Sequence, residues 1–358
     1  MNHKILVAMS GGVDSSVTAA FLLEQGYEVA GATIRTWASN TCVQRNTRSC
    51  CGLTGVEDAR AVSEKLGIRY WVFNFEEEFK RHVVDYFARE YLSGRTPNPC
   101  IACNEHIKFR LFWKRAKQLG FDAIATGHYA RLAHDADRHT YYLEEGKDKT
   151  KDQSYVLFPL DQEILSHLFL PLGEYERIQI RQKARSLGLT PVMEKPDSQE
   201  ICFIPSNDHG AFLEREFQAP KETGTIRTLD GKVLGTHAGY YQFTRGQRRG
   251  LGVAHPERLY VLETIPETNE VIVGTKSEVL DRTFNVKRVN WFLKPNSPNP
   301  FRAFVKIRSQ HSKSQALLEI LNEGEVRVTF DTPQEAATPG QAAVFYEGEK
   351  VLGGGWIG

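Results

Sequence analysis

The stretch Ile5-Leu6-Val7-Ala8-Met9-Ser10-Gly11-Gly12-Val13-Asp14-Ser15-Ser16 decides the fold. Five apolar residues in a row suit a strand covered on both faces, as in a parallel sheet, because a half-exposed strand would alternate. The glycine pair then turns the chain into a helix from about Ser15 to Gln25, stopped by Gly26. Working outward, Glu28–Ile34 is a second apolar strand. Thr54-Gly55-Val56-Glu57 has the spacing of a capping box, and Val56, Ala59, Val62 and Leu66 share one face of the helix it would start. Tyr70–Phe75 is a third strand, residues 76–92 a long helix, Glu105–Leu119 another helix ended by Gly120, and Ala123–Thr126 a fourth strand. This alternation predicts an α/β fold with a doubly wound parallel sheet over residues 1–205.

After about Pro205 the pattern changes. Thr225–Leu229 and Lys232–Leu234 flank Asp230-Gly231, a tight-hairpin signal, and Leu259–Thr264 and Val271–Gly274 read as further strands. From Val286 onward short strands dominate: Arg302–Arg308, Ala316–Leu321, Glu325–Phe330 and Ala342–Tyr346. A small β-rich domain over 206–280 and a β-barrel-like domain over 281–358 are expected. Gly353, Gly355 and Gly358 fit a G-x-G-x-x-G spacing, but no helix follows to hold a pyrophosphate, so they read as a terminal turn.

The 358 residues allow two or three domains. Lys plus Arg number 45 against 44 Asp plus Glu, which excludes a uniformly basic nucleic-acid coat and leaves any polyanion to a local patch. No stretch approaches the roughly 20 apolar residues of a membrane span. Met1-Asn2-His3-Lys4 runs into the first strand without a small-residue cleavage site. The expected location is cytoplasmic, where the six cysteines serve as reactive or metal-binding groups rather than structural disulfides.

Ser10–Ser16 lies between a strand and a helix, and its glycines let backbone N–H groups approach an anion. The helix N-terminus and the serine hydroxyls add to this phosphate cradle. It lacks the Gly-Lys-Ser/Thr ending of the nucleoside-triphosphatase loop, and Asp14 suits an indirect partnership through Mg²⁺. The motif closely resembles the loop of the ATP-pyrophosphatase (PP-loop) superfamily, enzymes that cleave ATP between the α- and β-phosphates and attach AMP to a substrate oxygen. That resemblance implies ATP binding by Ala8, Met9, Ser10, Gly11, Gly12, Val13, Asp14 and Ser15. It adds Ile34 at the end of the second strand and Gly127 after the fourth.

Arg95-Thr96-Pro97-Asn98-Pro99-Cys100-Ile101-Ala102-Cys103-Asn104 reads as a proline-stiffened loop with a C-x-x-C just before a helix, whose N-terminus would raise thiolate character. Cys202 lies far downstream in Ile201-Cys202-Phe203. One C-x-x-C plus one distant cysteine is not a four-ligand zinc site by itself, and three buried small apolar thiols are the plain alternative.

Taken in order, the motifs resemble the tRNA-uridine 2-sulfurtransferases, the tRNA-specific 2-thiouridylase family. The landmarks are Ser10–Ser16, Gly94–Pro99, Cys103-Asn104, Ile107-Lys108-Phe109, Ala125–Tyr129, Lys151–Tyr155, Ile201–Phe203, Gly246–Gly252 and Thr338–Gln341. The resemblance covers essentially the whole chain. It implies ATP-dependent 2-thiolation of the wobble uridine, in which adenylation makes the poor C2 oxygen a good leaving group. Cys202 would carry sulfur as a persulfide, delivered by a donor protein of a cysteine desulfurase relay, and Cys103 would close a disulfide with it. Many relatives have Asp where this chain has Cys100. Cys100, Cys103 and Cys202 would then also suit three irons of a [4Fe–4S] cluster with the fourth open to sulfide. Both routes stay open at this point. Cys42, Cys50 and Cys51 fall in a polar loop and read as incidental rather than as a metal or relay group.

For the anticodon loop of tRNA, residues 301–316 supply Arg302, Lys306, Arg308 and Lys313 with no acidic residue, and Arg245, Arg248 and Arg249 cluster near Gln247. By resemblance Asn98, Pro99 and Cys100 lie beside the target base, which would be splayed from its single strand. Lys151, Asp152, Gln153, His128, Arg308, Ser309 and Gln341 would contact the tRNA; His128 could instead be a core-edge histidine. Three rivals remain. A PP-loop ligase or amidotransferase would use ATP alike but survive loss of the thiols. A zinc deaminase matches Pro99-Cys100-x-x-Cys103, but its His-x-Glu occurs only downstream, as His255-Pro256-Glu257. A non-catalytic RNA-binding module would form no ATP-dependent product.

Overall fold

Lys4–Ala8 (β1) forms where the apolar run predicts it, and Ile5, Leu6 and Val7 expose no surface. Glu28–Arg35 (β2), Arg69–Asn74 (β3) and Ala123–Ala125 (β4) join it in parallel. The chain then leaves for a hairpin, Ala130–Asp135 (β5) and Thr140–Glu145 (β6), before Leu168–Phe169 (β7) completes the order β3-β2-β1-β4-β7. This computed structural model describes residues 3–36, 53–189, 201–204, 208–295 and 299–358. Alternate side chains of β1 face opposite ways. Ile5 and Val7 pack with Val17, Leu22, Ala59 and Val62, while Leu6 packs into a core holding Phe73, Phe79, Phe87 and Phe112. Two packed faces are the reason the run is apolar throughout. After β3 the chain crosses to the far side of β1, so the carboxyl ends of β1 and β4 form the crevice where such sheets bind ligands.

The first helix is Val13–Glu24, and Gly26 beyond it has φ +85°, which an L side chain resists. Two expectations shift. The next helix is Leu53–Leu66, so Thr54 lies inside its first turn and not at a capping position. The helix expected from Glu105 begins at Pro99 and runs through 118, because Asn98 caps it by accepting from Ile101 N–H at 3.2 Å and Pro99 takes the first position. Its Cys103–Leu111 portion is π-helical, as is Lys80–Val84 in the neighbouring 76–92 helix.

The central sheet is Gly224–Thr228 (β8), Val233–His237 (β9), Tyr260–Ile265 (β10) and Glu270–Gly274 (β11), ordered β10-β11-β8-β9. The last sheet comprises Leu280–Trp291 (β12), Phe301–Lys306 (β13), Ser314–Asn322 (β14), Glu325–Glu335 (β15), Ala342–Glu347 (β16) and Lys350–Ile357 (β17). Pairing of β12 with both β15 and β17 closes these six antiparallel strands into a barrel. Gly353 and Gly355 therefore belong to a buried strand and not to a terminal turn. A Cβ on Gly353 would lie 2.3 Å from Asn290 O, and one on Gly355 2.6 Å from Lys287 O, so the seam between β12 and β17 admits only glycine there. The β5–β6 hairpin also joins this sheet, where β6 pairs with β17 at Glu144 and Lys350. Among the described residues no helix is long and apolar enough to cross a membrane.

Candidate active site

The phosphate loop leaves β1 at its carboxyl end. Met9 is fixed first: its N–H donates to Ala32 O at 2.9 Å and its carbonyl accepts from Thr33 Oγ1 at 2.6 Å. Gly11 then takes φ +73°, and a Cβ there would stand 2.3 Å from Gly55 O. Gly12 begins the helix with no side-chain cap, leaving the first-turn N–H groups to an anion. Ser15 Oγ accepts from Ser10 N–H at 3.2 Å and donates to Gly12 O at 3.2 Å, and Ser16 Oγ donates to the same carbonyl at 2.8 Å. Gly127, just past β4, presses on the loop from the other side of the crevice; a Cβ on it would lie 2.9 Å from both Asp14 C and Ser15 N. Ile34, near the end of β2, reaches the same edge of the sheet. These residues fit a phosphate group by backbone approach and donor geometry alike.

Asp14 sits in the first turn, where Tyr129 donates its hydroxyl to Oδ1 at 2.8 Å. No spacing in the sequence signals that contact. His128, the residue before Tyr129, is 8% exposed, its Nδ1 lies 2.8 Å from Thr126 Oγ1, and burial, aided by Lys108, holds its pKa down to about 3. The structure thus places His128 as a neutral interior histidine rather than on an RNA-facing surface.

The 94–104 segment is clamped between the two β domains. Gly94, at φ +70°, would bring a Cβ within 2.9 Å of Thr264 O, and Thr264 Oγ1 donates to its carbonyl at 3.1 Å. From the barrel, Pro339 O accepts from Thr96 N–H at 2.9 Å, and Gln341 Nε2 donates to Thr96 O at 3.2 Å and Pro97 O at 3.0 Å. Asn98 Nδ2 reaches Gln341 Oε1 at 3.5 Å, so two residues far apart in the chain share one spot. Pro99 is buried, Cys100 exposed and Cys103 half-buried, so the C-x-x-C opens the helix instead of preceding it.

Cys202 is exposed. The ring of its neighbour Phe203 packs 5.8 Å from Phe79 and 5.4 Å from Phe87, on the 76–92 helix that Pro99–Ala102 also contacts. Both cysteine segments therefore rest on one helix. Among the described residues no three His, Cys, Asp or Glu side chains converge as a metal site. Cys42, Cys50, Cys51 and residues 195–200 lie outside the described residues.

Lys151, Asp152 and Gln153 are half-buried, and the side chains of Asp152 and Gln153 bond within the protein. Asp152 Oδ1 accepts from Gly146 and Ser154 N–H groups at 3.1 Å each, and Gln153 Oε1 accepts from Tyr129 N–H at 3.0 Å. The expected basic patch, by contrast, is largely paired with carboxylates. Arg302 pairs with Asp331 at 2.7 Å, Lys306 with Asp152 at 3.6 Å, Lys313 with Glu145 at 2.9 Å and Arg245 with Asp281 at 2.7 Å. Counting charges along 301–316 misses carboxylates brought in from other elements. Arg308 and Ser309 stay exposed on the barrel, with Arg308 on the carbonyls of Glu335 and Ala336. Arg248 and Arg249 are exposed as well.

A glycine-built phosphate cradle at the switch point of a doubly wound sheet, followed by two β domains, defines a nucleotide-using enzyme of the PP-loop class. Three family models match in sequence. One described as tRNA methyl transferase HUP domain covers residues 3–206, a tRNA methyl transferase PRC-barrel domain covers 210–275, and an aminomethyltransferase beta-barrel domain covers 281–357. The chain is 48% identical to the tRNA-specific 2-thiouridylase MnmA of Carboxydothermus hydrogenoformans, over 99% of this chain and 97% of that one. It is 45% identical to the protein of the same name from Acetivibrio thermocellus, over 99% of each. The chain belongs to the tRNA-specific 2-thiouridylase family and, with it, to the enzymes that transfer sulfur to tRNA uridine.

Proposed function

We propose that this protein thiolates C2 of the wobble uridine in the tRNA anticodon loop by adenylation and persulfide transfer. The observation that carries the reading is the cradle formed by Ser10–Ser16 under Gly127, with Asp14 at the helix start. Its N–H groups and serine hydroxyls would hold the ATP phosphates, and Ile34 and Gly127 would border the nucleotide. Mg²⁺, held through Asp14, would neutralise charge on the departing pyrophosphate. The uridine O2 attacks the α-phosphorus and pyrophosphate leaves. The terminal sulfur of a Cys202 persulfide then attacks C2, and AMP departs with the original oxygen. Cys103 thiolate attacks Cys202 Sγ, which frees 2-thiouridine and leaves a Cys103–Cys202 disulfide for an external thiol to reduce. The sulfur comes from a persulfide-carrying donor protein.

Asn98, Pro99 and Cys100 would border the splayed base. Gln341, Arg308, Ser309 and residues 151–153 would meet the surrounding tRNA, with Asn98 and Gln341 acting as a joined pair. Cys103 and Cys202 are the two thiols the persulfide route needs, and both of their segments rest on the 76–92 helix; a cluster on Cys100, Cys103 and Cys202 is the alternative that iron-free activity would remove. The test is mass spectrometry of tRNA nucleosides after incubation with ATP, Mg²⁺ and a persulfide donor. Wild type should form 2-thiouridine without added iron. Cys103→Ser and Cys202→Ser should each abolish it, and Asp14→Ala should stop pyrophosphate release while tRNA still binds. Retained product in both serine variants would instead indicate a thiol-independent PP-loop ligase.

A further inference from the structure

Tyr129 ties the phosphate loop to the segment expected under tRNA, and a role for it rests on the adenylation reading and deepens it. Tyr129 is 3% exposed, and its hydroxyl donates to Asp14 Oδ1 at 2.8 Å. A hydrogen bond to a carboxylate is charge-assisted and directional, so fixing Oδ1 sets the orientation of the whole group.

The backbone of Tyr129 is held with equal care. Its N–H donates to Gln153 Oε1 at 3.0 Å, and its carbonyl accepts from Gln153 N–H at 2.8 Å. Gln153 is flanked by Asp152 and Ser154. The Asp152 carboxylate accepts from Ser154 Oγ at 2.9 Å and lies 3.6 Å from Lys306 of β13. Ser154 Oγ is 3.3 Å from Tyr346 Oη of β16. A continuous polar line thus runs from the barrel through residues 152–154 and Tyr129 to Asp14.

We propose that Tyr129 is a positioning residue that orients the Asp14 carboxylate toward the Mg²⁺–pyrophosphate end of ATP and couples that orientation to the Gln153 segment. The ring of Tyr129 supplies packing, and its hydroxyl makes the bond to Asp14. Tyr129→Phe therefore separates positioning from structure.

The experiment is calorimetric titration of the full chain with Mg²⁺ in the presence of α,β-methylene-ATP, a probe that binds without turnover. Tyr129→Phe should raise the half-saturating Mg²⁺ by about tenfold to a hundredfold, as expected for a lost bond to a charged acceptor. Its binding of the analogue in EDTA should match wild type. Gln153→Ala keeps the hydroxyl but frees the Tyr129 backbone, and should raise half-saturating Mg²⁺ by roughly threefold to tenfold. Wild-type Mg²⁺ dependence in a Tyr129→Phe protein with an unaltered thermal midpoint overturns the proposal. If Tyr129→Phe does not fold, an unshifted Gln153→Ala overturns it. A wild-type chain that binds no analogue overturns the ATP reading itself, and this proposal with it.

Discussion

Gly127→Ala adds one methyl group where the crevice has no room for it. The added Cβ would stand 2.9 Å from Asp14 C and 2.9 Å from Ser15 N, and both neighbours are backbone at the start of the Val13–Glu24 helix. Ordinary carbon contacts need about 3.5 Å, so strand end and loop must separate by roughly half an ångström. The helix start is pinned by Ser15 and Ser16 on Gly12 O, so the strain falls on the N–H groups that face phosphate. Misplacing one or two charge-assisted bonds costs about 1.5–3 kcal/mol each, and each 1.4 kcal/mol is about tenfold in affinity. We expect the ATP dissociation constant of Gly127→Ala, measured by calorimetry, to rise by at least about tenfold. Gly26→Ala is the control: it also strains the backbone, at φ +85°, but nothing lies within 4 Å of its Cβ. It should lower the thermal midpoint slightly and leave ATP affinity alone. Equal ATP affinity in Gly127→Ala and wild type would refute the crevice argument.

Gln341→Ala removes two hydrogen bonds to the carbonyls of Thr96 and Pro97, and we expect KM for tRNA to rise by roughly tenfold with KM for ATP unchanged in steady-state assays. Gly355→Val drives side-chain carbon onto Lys287 O, 2.6 Å from the added Cβ, and should lower the thermal midpoint by about 5 °C or more as the barrel seam opens. His128 has an ordinary pKa of 6.5 and a folded value of about 3, so between these pH values the unfolded chain binds the extra proton and folding stability falls as pH falls. Denaturant unfolding should show His128→Gln losing less stability than wild type between pH 6.5 and 4.5, by about 1 kcal/mol per pH unit.

The parallel sheet is legible in the sequence because its signals are local. β1 is buried on both faces, and Gly26, Gly67 and Gly120 end helices at positive φ. The closing strand of the barrel is not, because glycine-rich Lys350–Ile357 lacks the alternating side chains by which strands are read; its glycines answer to the opposing backbone of β12. The start of the 99–118 helix is hidden for a related reason. Pro97 and Pro99 look like loop stiffeners until Asn98 is seen to cap, when Pro99 becomes a first-turn residue and the C-x-x-C moves onto the helix.

The same division runs through the site. Ser10–Ser16 and Gly127 announce a phosphate cradle because their chemistry lies in the local backbone, whereas Tyr129–Asp14 and Asn98–Gln341 form only after the chain has folded on itself. The charge pattern makes the point most sharply. Arg302, Lys306 and Lys313 look like an RNA patch in sequence, yet Asp331, Asp152 and Glu145 neutralise them. Lys306 and Lys313 therefore brace the barrel against the 145–152 segment, close to where Gln153 grips Tyr129. Cations so placed do little to attract phosphate from a distance. What they secure is the relative position of barrel and phosphate loop, and for the reaction proposed above, which would bring one splayed base to one α-phosphorus, that alignment matters more than long-range attraction.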